Sequence, residues 1–288
     1  MTAKRIIVTG ANGQLGQSLK DLIEGDPEIS AVYADIEDFD ITDTDSTESF
    51  LGNNPFDVIV NCAAYTAVDR AETERELAEK INGEGPAVIG SLAKKFGGKV
   101  IHISTDYVFD GNHNTPYRED DLVNPQTVYG STKLQGEAKL LDVAPDAVII
   151  RTAWLYSPYG KNFFLTMRNK AVANENVRVV ADQKGTPTFA GDLAAAIIKI
   201  IKSETWHPGI YHFTNEGETT WHEFASEIYR LTGAETEKVV PIATGEYPAV
   251  AQRPAYSVLD KSKIKQTYKI EIPDWQSSLS ALINNGNK

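Results

Sequence analysis

The chain has 288 residues, a formal net charge of −12 and 41% hydrophobic residues. This length favours one large domain with a smaller lobe, or two domains, and the acidity argues against nucleic acid as a partner. The single cysteine, Cys62, excludes an internal disulfide and fits a reducing compartment. No segment reaches the roughly 18 apolar residues that span a bilayer, and the start lacks the apolar stretch of a signal peptide. We therefore expect a soluble cytoplasmic protein with no membrane partner.

Apolar runs alternate with helical patterns through the first half of the chain. The pattern predicts strands at 5–9, 31–35, 57–61, 99–104 and 147–151, and helices at 13–24, 72–95 and 130–141. This alternation indicates an α/β fold, a Rossmann-type doubly wound parallel sheet with helices on both faces. Ligands bind such sheets at the carboxyl ends of the strands, so functional residues are expected just after each apolar run.

The second half is less regular. Helical patterns at 162–174, 191–201 and 221–231 are separated by candidate strands at 177–181 and 210–214. We expect residues 1–151 to form an NAD(P)-binding Rossmann domain, with segments around 177–203 returning to it. Residues 152–288 would mainly form a smaller C-terminal substrate-binding domain. The five histidines lack the spacing of zinc ligands, so no metal site is predicted.

A glycine-rich turn follows the first predicted strand. Its pattern, Gly10-Ala-Asn-Gly13-Gln-Leu-Gly16, is one residue longer in the first gap than the usual dinucleotide fingerprint. Gly10 permits the tight turn, Gly13 lets a pyrophosphate approach the backbone, and Gly16 lets the helix pack close to the strand. The helix N-terminus then offers free N–H groups to phosphates. The expected cofactor contacts in this turn are Gly10, Asn12, Gly13, Gln14, Leu15 and Gly16.

Asp35 ends the second predicted strand, where a carboxylate can accept hydrogen bonds from the adenosine ribose. It would repel a 2′-phosphate, and residues 36–38 contain no lysine or arginine to offset this. We therefore expect dual use of NADH and NADPH; a capping role for Asp35 is the alternative. Further cofactor contacts are predicted at Asp40 and Ile41 near the adenine, and at Ala63, Ala64 and Tyr65 after the third strand.

Hydroxyl and ammonium groups follow the fourth strand. Thr105 ends that strand, and Tyr129 and Lys133 lie four apart at the start of a helix, on one face. A nearby ammonium would lower the pKa of the tyrosine toward the range of a general acid, while Thr105 holds a substrate carbonyl oxygen. This group predicts an oxidoreductase of the short-chain dehydrogenase type. Asn82, beside glycines within the long predicted helix, indicates a kink that could hold water or the lysine.

The motifs TGANGQLG, NCAAYTAVDRAE, ISTDYVFDG, NPQTVYGSTK, RTAWLY, VVADQKGTPT and RPAYSVLD together resemble the dTDP-4-dehydrorhamnose reductases, extended short-chain dehydrogenases. The resemblance implies reduction of the 4-keto group of dTDP-4-dehydro-L-rhamnose to dTDP-L-rhamnose. It implies catalysis by Thr105, Tyr129 and Lys133, with Lys133 also holding the nicotinamide ribose. It places Val68, Thr105, Asp106, Tyr107 and Trp154 near the sugar and Arg253 near the diphosphate. Some relatives form magnesium-linked dimers; no equivalent acidic cluster is evident, so a monomer or a homodimer is expected.

Other functions stay open on the sequence alone. A dehydratase needs a glutamate after the strand-four threonine, and Asp106-Tyr107 stands there instead. Another sugar-nucleotide 4-reductase, or a 4-epimerase that retains its cofactor, is compatible with the motifs. So is a non-catalytic regulatory subunit like the relative that serves methionine adenosyltransferase, although the complete Thr105, Tyr129 and Lys133 set favours an enzyme.

Overall fold

A parallel sheet of six strands forms the centre of the computed structural model, which describes residues 3–285. The strands of the chain are β1 (Lys4–Thr9), β2 (Ile29–Ala34), β3 (Val58–Asn61), β4 (Lys99–Thr105), β5 (Val148–Thr152), β6 (Leu155–Tyr156), β7 (Val177–Val180), β8 (Lys184–Gly185), β9 (Thr188–Phe189), β10 (Gly209–His212), β11 (Thr219–Thr220) and β12 (Val239–Ile242). The strand order of the central sheet is β10-β5-β4-β3-β1-β2, and all neighbours run parallel. The α/β prediction is confirmed.

Helices cover both faces of this sheet and also contribute to the second half of the chain. They are α1 (Gln14–Ile23), α2 (Thr44–Asn53), α3 (Val68–Ala71), α4 (Arg75–Ala78), α5 (Gly85–Lys95), α6 (Val128–Val143), α7 (Phe163–Val172), α8 (Ala190–Lys202), α9 (Trp221–Thr232), α10 (Ser262–Tyr268) and α11 (Trp275–Asn285). The sequence pattern did not predict α2, because this helix buries only Thr47 and Leu51. The Asp43 side chain caps its N-terminus.

The long helical stretch predicted at 72–95 is confirmed from Arg75 to Lys95, but it is not one regular α-helix. It begins with α4, passes through a π-helical segment at Glu79–Glu84 and continues as α5. Asn82 lies in the π segment, as the kink prediction suggested. Its amide bonds both backbone groups of Tyr65 and reaches the hydroxyl of Thr132 at 3.3 Å, rather than holding the lysine.

Two apolar cores bury the two faces of the sheet. On one face, leucines of α1 and isoleucines of α8 pack against alternate residues of β1, β3 and β5. On the other face, α2, α5 and α6 supply Leu51, Leu92 and Leu140 against the remaining strand residues. Strands buried on both faces explain their nearly continuous apolar sequences.

A smaller lobe, built from β7, α7, α9, β12 and α11, has its own apolar core. Phe164, Phe224 and Leu279 are fully buried there. The segment 177–203 divides between the two parts, because α8 packs on the large sheet while β7 pairs with β12 in the smaller lobe. Among residues 3–285, no helix is long and apolar enough to cross a membrane.

Candidate active site

A cleft of about 1040 Å³ opens at the carboxyl ends of β1 to β5, between the sheet and the smaller lobe. It brings together most of the residues predicted from the sequence. Those lining it are Gly10, Asn12, Gly13, Gln14, Leu15, Asp35, Asp40, Ile41, Ala63, Ala64, Val68, Thr105, Asp106, Tyr107, Tyr129, Lys133 and Trp154.

The glycine turn has the close contacts that its sequence predicts. Gly10 has a φ of 61°, and a Cβ there would lie 2.7 Å from the backbone nitrogen of Ala63. A Cβ on Gly16 would lie 2.6 Å from Ala11, so only glycine allows α1 to pack this closely. A Cβ on Gly13 would meet only the Gly10 carbonyl, at 3.2 Å, and Gly13 lines the cleft. The turn thus leaves room for a pyrophosphate at the N-terminus of α1.

The Asp35 carboxylate lies at the far end of the cleft, beyond the glycine turn. It accepts hydrogen bonds from the backbone N–H groups of Asn12, at 2.8 Å, and Ile36, at 2.9 Å. Lys80, which was not predicted from the sequence, also lines the cleft. Against the opposing effect of burial, hydrogen bonds from Thr42, with a smaller effect of the Lys80 charge, lower the pKa of Asp40. Lys80 comes from the π segment, far from Asp35 in sequence, so inspection of residues 36–38 could not reveal this cation.

The catalytic group is formed where β4 and α6 meet. The Thr127 side chain caps α6 by accepting from the Gly130 N–H, which places Tyr129 in the first turn. A Cβ on Gly130 would lie 2.1 Å from the Tyr107 carbonyl oxygen, so glycine brings this turn against the end of β4. The rings of Tyr107 and Tyr129 meet edge to face, with centroids 5.5 Å apart. Tyr129 therefore stands beside Thr105.

The electrostatics of this group differ from the expectation. Burial raises the pKa of Tyr129 well above its usual range, and the nearby Thr105 hydroxyl opposes this only in part. Lys133 is not among the groups that lower the pKa of Tyr129, and its Nζ donates to the Ile103 carbonyl at 2.6 Å. Burial also lowers the pKa of Lys133 to about 8. In this form of the protein Tyr129 is a neutral phenol, the protonation state that a general acid needs.

Asp106 is a buried carboxyl group next to the catalytic threonine. The Thr105 hydroxyl donates to its Oδ1 at 2.9 Å. Burial raises the pKa of Asp106 to about 7, and interactions with the hydroxyls of Thr105 and Ser257 oppose this rise. The side chain can therefore be a hydrogen-bond donor at neutral pH, which a surface carboxylate cannot.

An aromatic wall faces this polar group. Trp154 lies in the left-handed region with a φ of 47° and stacks on Trp221, the first residue of α9. A Cβ on Gly185 would lie 2.6 Å from the Trp154 ring, so the indole is held between Gly185 and Trp221. Trp221 lines the cleft but was missed in the sequence, where it reads only as a helix start.

Three predicted contacts lie outside the cleft lining. Gly16 faces Ala11 and acts through packing. The Tyr65 hydroxyl donates to Glu74, and Tyr65 does not line the cleft, so its role as a cofactor contact stays a prediction. Arg253 pairs with Asp69 at 2.7 Å and lines a small adjoining cavity beside Tyr107 rather than the cleft.

Gln14 connects the glycine turn to the chain that follows β6. Its Oε1 accepts from Ser157 Oγ at 3.0 Å and Asn162 Nδ2 at 2.9 Å, and its Nε2 donates to the Leu155 carbonyl at 3.4 Å. The Gln14 amide thus connects the glycine turn, in the first half of the sequence, to three residues of the second half at the edge of the cleft. Among residues 3–285, no cluster of three or more His, Cys, Asp or Glu side chains could hold a metal ion.

The parallel sheet, the glycine turn and the buried Thr105, Tyr129 and Lys133 group define an oxidoreductase of the short-chain dehydrogenase class. Residues 4–287 match the protein family described as RmlD substrate binding domain. The chain belongs to this family, and the resemblance seen in the sequence is confirmed.

Similar proteins agree with this assignment. A dTDP-4-dehydrorhamnose reductase from Aggregatibacter actinomycetemcomitans is 41% identical over 284 residues, covering 96% of this chain and 97% of the relative. The crystal structure of a dTDP-4-dehydrorhamnose reductase from Clostridium acetobutylicum is 40% identical with a TM-score of 0.93, covering 99% of this chain and 100% of that one. That of the Bacillus anthracis enzyme in complex with NADP is 36% identical, also with a TM-score of 0.93, covering 98% and 99%.

Proposed function

We propose that the chain is an NAD(P)H-dependent dTDP-4-dehydrorhamnose reductase, which reduces the 4-keto group of dTDP-4-dehydro-L-rhamnose to give dTDP-L-rhamnose for cell-surface polysaccharides. The observation that carries the proposal is the convergence of Thr105, Tyr129 and Lys133 in the cleft that begins at the glycine turn. The near-complete match to named reductases supports the substrate.

The residues present fit a nicotinamide dinucleotide. Gly10 and Gly13 would hold the pyrophosphate, Asp35 or Lys80 the adenosine ribose or its phosphate, and Lys133 the nicotinamide ribose. When bound, the dinucleotide supplies the hydride. Asp40 and Ile41 line the adenosine end, and the small side chains of Ala63 and Ala64 leave space where the cofactor would cross the sheet edge.

The side chains of this protein would supply the proton and hold the ketone. Tyr129, a neutral phenol because of burial, donates its proton to the sugar oxygen as negative charge develops there. The Thr105 hydroxyl, which donates to Asp106 in this structure, would turn its single hydrogen to the same oxygen and stabilise the developing charge. Lys133 stabilises the phenolate that Tyr129 becomes. Val68, Asp106, Tyr107 and Trp154 would surround the sugar, and Arg253 would contact its diphosphate.

We propose that residues 1–151 bind the dinucleotide and that residues 152–288 mainly bind the sugar nucleotide, as the sequence pattern predicts. We further propose a cytoplasmic monomer or homodimer that binds no nucleic acid. The net charge of −12 and the free thiol of Cys62 support this environment.

A coupled assay tests the function. dTDP-glucose is converted by dehydration and by inversion at C3 and C5 to dTDP-4-dehydro-L-rhamnose, the chain is added, and consumption of NADH or NADPH is followed at 340 nm with the product identified by NMR. We expect cofactor oxidation and dTDP-L-rhamnose, and a rate lowered by about 10²–10⁴ with Tyr129→Phe. Absence of cofactor consumption with a competent substrate would overturn the proposal. Interconversion of 4-epimers with tightly retained cofactor would indicate an epimerase, and no turnover at all would favour a regulatory subunit.

A further inference from the structure

A line of buried polar side chains runs beneath the catalytic group, from Thr9 through Asn61 and His102 to Lys133. All four are at most 2% exposed. The Asn61 amide lies 3.1 Å from His102 Nδ1, and His102 Nε2 lies 3.4 Å from Lys133 Nζ. Of these four side chains, only Lys133 has a role in the reaction proposed for this cleft. The His102 imidazole, held between Asn61 and Lys133, has none.

The neighbours of Asn61 determine which way its amide points. The backbone N–H of Ala63 can only donate, and it lies 3.2 Å from Asn61 Oδ1. The Thr9 hydroxyl donates to the same oxygen at 2.7 Å. The Asn61 Nδ2 group therefore faces His102, and because an amide NH₂ can only donate, His102 Nδ1 must accept.

This acceptor role fixes the tautomer of His102. Burial lowers the pKa of His102 well below its usual value, so the ring is neutral and carries one proton. With Nδ1 accepting from Asn61, that proton resides on Nε2, which points at Lys133 Nζ. An N–H group facing an ammonium is a contact between two donors, whereas it can donate to the lone pair of a neutral amine.

Among residues 3–285, the titratable groups Glu137 and Cys62 raise the pKa of Lys133. Glu137, one turn further along α6, raises the pKa of Lys133, although its charge is shared with Arg151 at 2.7 Å. Cys62, which follows β3, acts in the same direction, while burial lowers the pKa and is the larger effect. Tyr129 stands one turn earlier on α6 and is neutral. An imidazole N–H that opposes the ammonium form of Lys133 would add to the effect of burial.

We propose that His102 is a positioning residue that, in the Nε2–H tautomer imposed by Asn61, lowers the proton affinity of Lys133. The role rests on the proposed function, because a lysine that supports the phenolate of Tyr129 and returns its proton works best with a pKa near the working pH. Lys133, with a pKa of about 8, meets that requirement, whereas an ordinary lysine holds its proton too tightly.

The tautomer can be measured without any turnover. Long-range ¹H–¹⁵N correlation spectra of the full chain, labelled at histidine, distinguish Nε2–H from Nδ1–H imidazoles. We expect His102 in the Nε2–H form without cofactor. An Nδ1–H form or a doubly protonated ring would overturn the proposal. This result is independent of the sugar substrate, so it separates failure of this inference from failure of the proposed function.

Two variants then test the effect on Lys133. In Asn61→Asp the carboxylate keeps the Ala63 and Thr9 bonds but accepts from Nδ1–H, so the tautomer reverses and Nε2 accepts from the lysine. In His102→Met the opposing N–H is removed. NMR titration of the Lys133 side chain should show its pKa rise in both, by on the order of 1 unit. The high-pH limb of kcat should move up equally.

The control is His212→Met. His212 is also a fully buried histidine, but its Nδ1 bonds the Tyr117 carbonyl at 3.1 Å rather than facing the lysine. We expect no shift of the Lys133 pKa in this variant. An unchanged Lys133 pKa in both Asn61→Asp and His102→Met would overturn the proposal, as would an equal shift in the control. If the variants fail to fold, the tautomer of the natural chain still decides.

Discussion

Trp154 and Trp221 stack face to face, with ring centroids 3.6 Å apart and planes 14° from parallel. Trp154 follows β5 of the large sheet, and Trp221 begins α9 of the smaller lobe, so the pair joins the two parts at the wall of the cleft. The left-handed backbone of Trp154 is uncommon for a bulky residue and is kept only where its surroundings hold it. Trp221 and Gly185 provide that support.

Trp221→Leu should weaken sugar-nucleotide binding. Loss of the stack removes on the order of 1 kcal/mol of aromatic contact and frees Trp154, so KM for the sugar nucleotide should rise about 5–10-fold. KM for the dinucleotide should stay unchanged, because the glycine turn is not touched. Steady-state kinetics measure both. Trp206→Leu is the matched control, since Trp206 bonds the Asp146 carbonyl and does not line the cleft. Equal KM values in the two variants would contradict the role.

Tyr129→Phe should lower kcat by about 10²–10⁴, the range for loss of a general acid. Dinucleotide affinity should change little, because the ring and its contact with Tyr107 remain. Stopped-flow kinetics give the rate, and fluorescence titration with NADH gives the affinity. Tyr159→Phe serves as control, since that hydroxyl donates to Asp21 on the outer surface of α1. Full activity of Tyr129→Phe would show that another group is the acid.

Asp35 and Lys80 should oppose each other in cofactor choice. Asp35→Ala removes the charge that repels a 2′-phosphate and should shift the kcat/KM ratio toward NADPH by about 10-fold, whereas Lys80→Ala should shift it toward NADH. Measuring kcat/KM for both cofactors in each variant tests the pair. Lys94→Ala, which removes a lysine at the far end of α5, controls for net charge. The same ratio in all forms would mean that neither side chain reaches the ribose.

Asp106→Asn should make stability less dependent on pH. The pKa of Asp106 is about 7 in the folded chain, above the unfolded value near 3.8, so the folded state binds this proton more tightly. The natural chain therefore loses stability from this group as pH rises from about 4 through 7, by at most about 4 kcal/mol. Thermal unfolding should show the variant more stable than the natural chain at pH 8 and similar at pH 4. A constant difference in Tm across this range would contradict the raised pKa.

Breaking the buried ion pair of Glu137 and Arg151 should destabilise the fold. Both side chains are 2% exposed, and the Ser104 hydroxyl also donates to Glu137. Glu137→Gln leaves an uncompensated guanidinium and should lower the free energy of unfolding by about 3–5 kcal/mol. The exposed pair of Arg75 and Glu79 is the control, where Glu79→Gln should cost at most about 1 kcal/mol. Urea unfolding measures both, and equal costs would contradict the argument.

Most of the parallel sheet could be predicted from sequence, because strands buried on both faces are continuous apolar runs. The glycine turn and the Tyr129–Lys133 spacing are likewise local patterns. Lys80 could not be predicted as a cleft residue, because it reaches the cleft from a π-helical segment. Trp221 could not be predicted either, because it reaches the cleft through the packing of the smaller lobe against Trp154. Sequence spacing encodes neither arrangement. The raised pKa of Tyr129 was also missed, since it depends mainly on burial in the folded chain.

The amide of Gln14 has a kinetic consequence. It belongs to the turn that would hold the pyrophosphate, yet three of its hydrogen bonds go to Leu155, Ser157 and Asn162 on the opposite rim. A dinucleotide bound at the glycine turn would therefore restrain the rim that receives the sugar. Without the dinucleotide, that rim would be less restrained. This arrangement favours an ordered mechanism, with the dinucleotide entering first and leaving last.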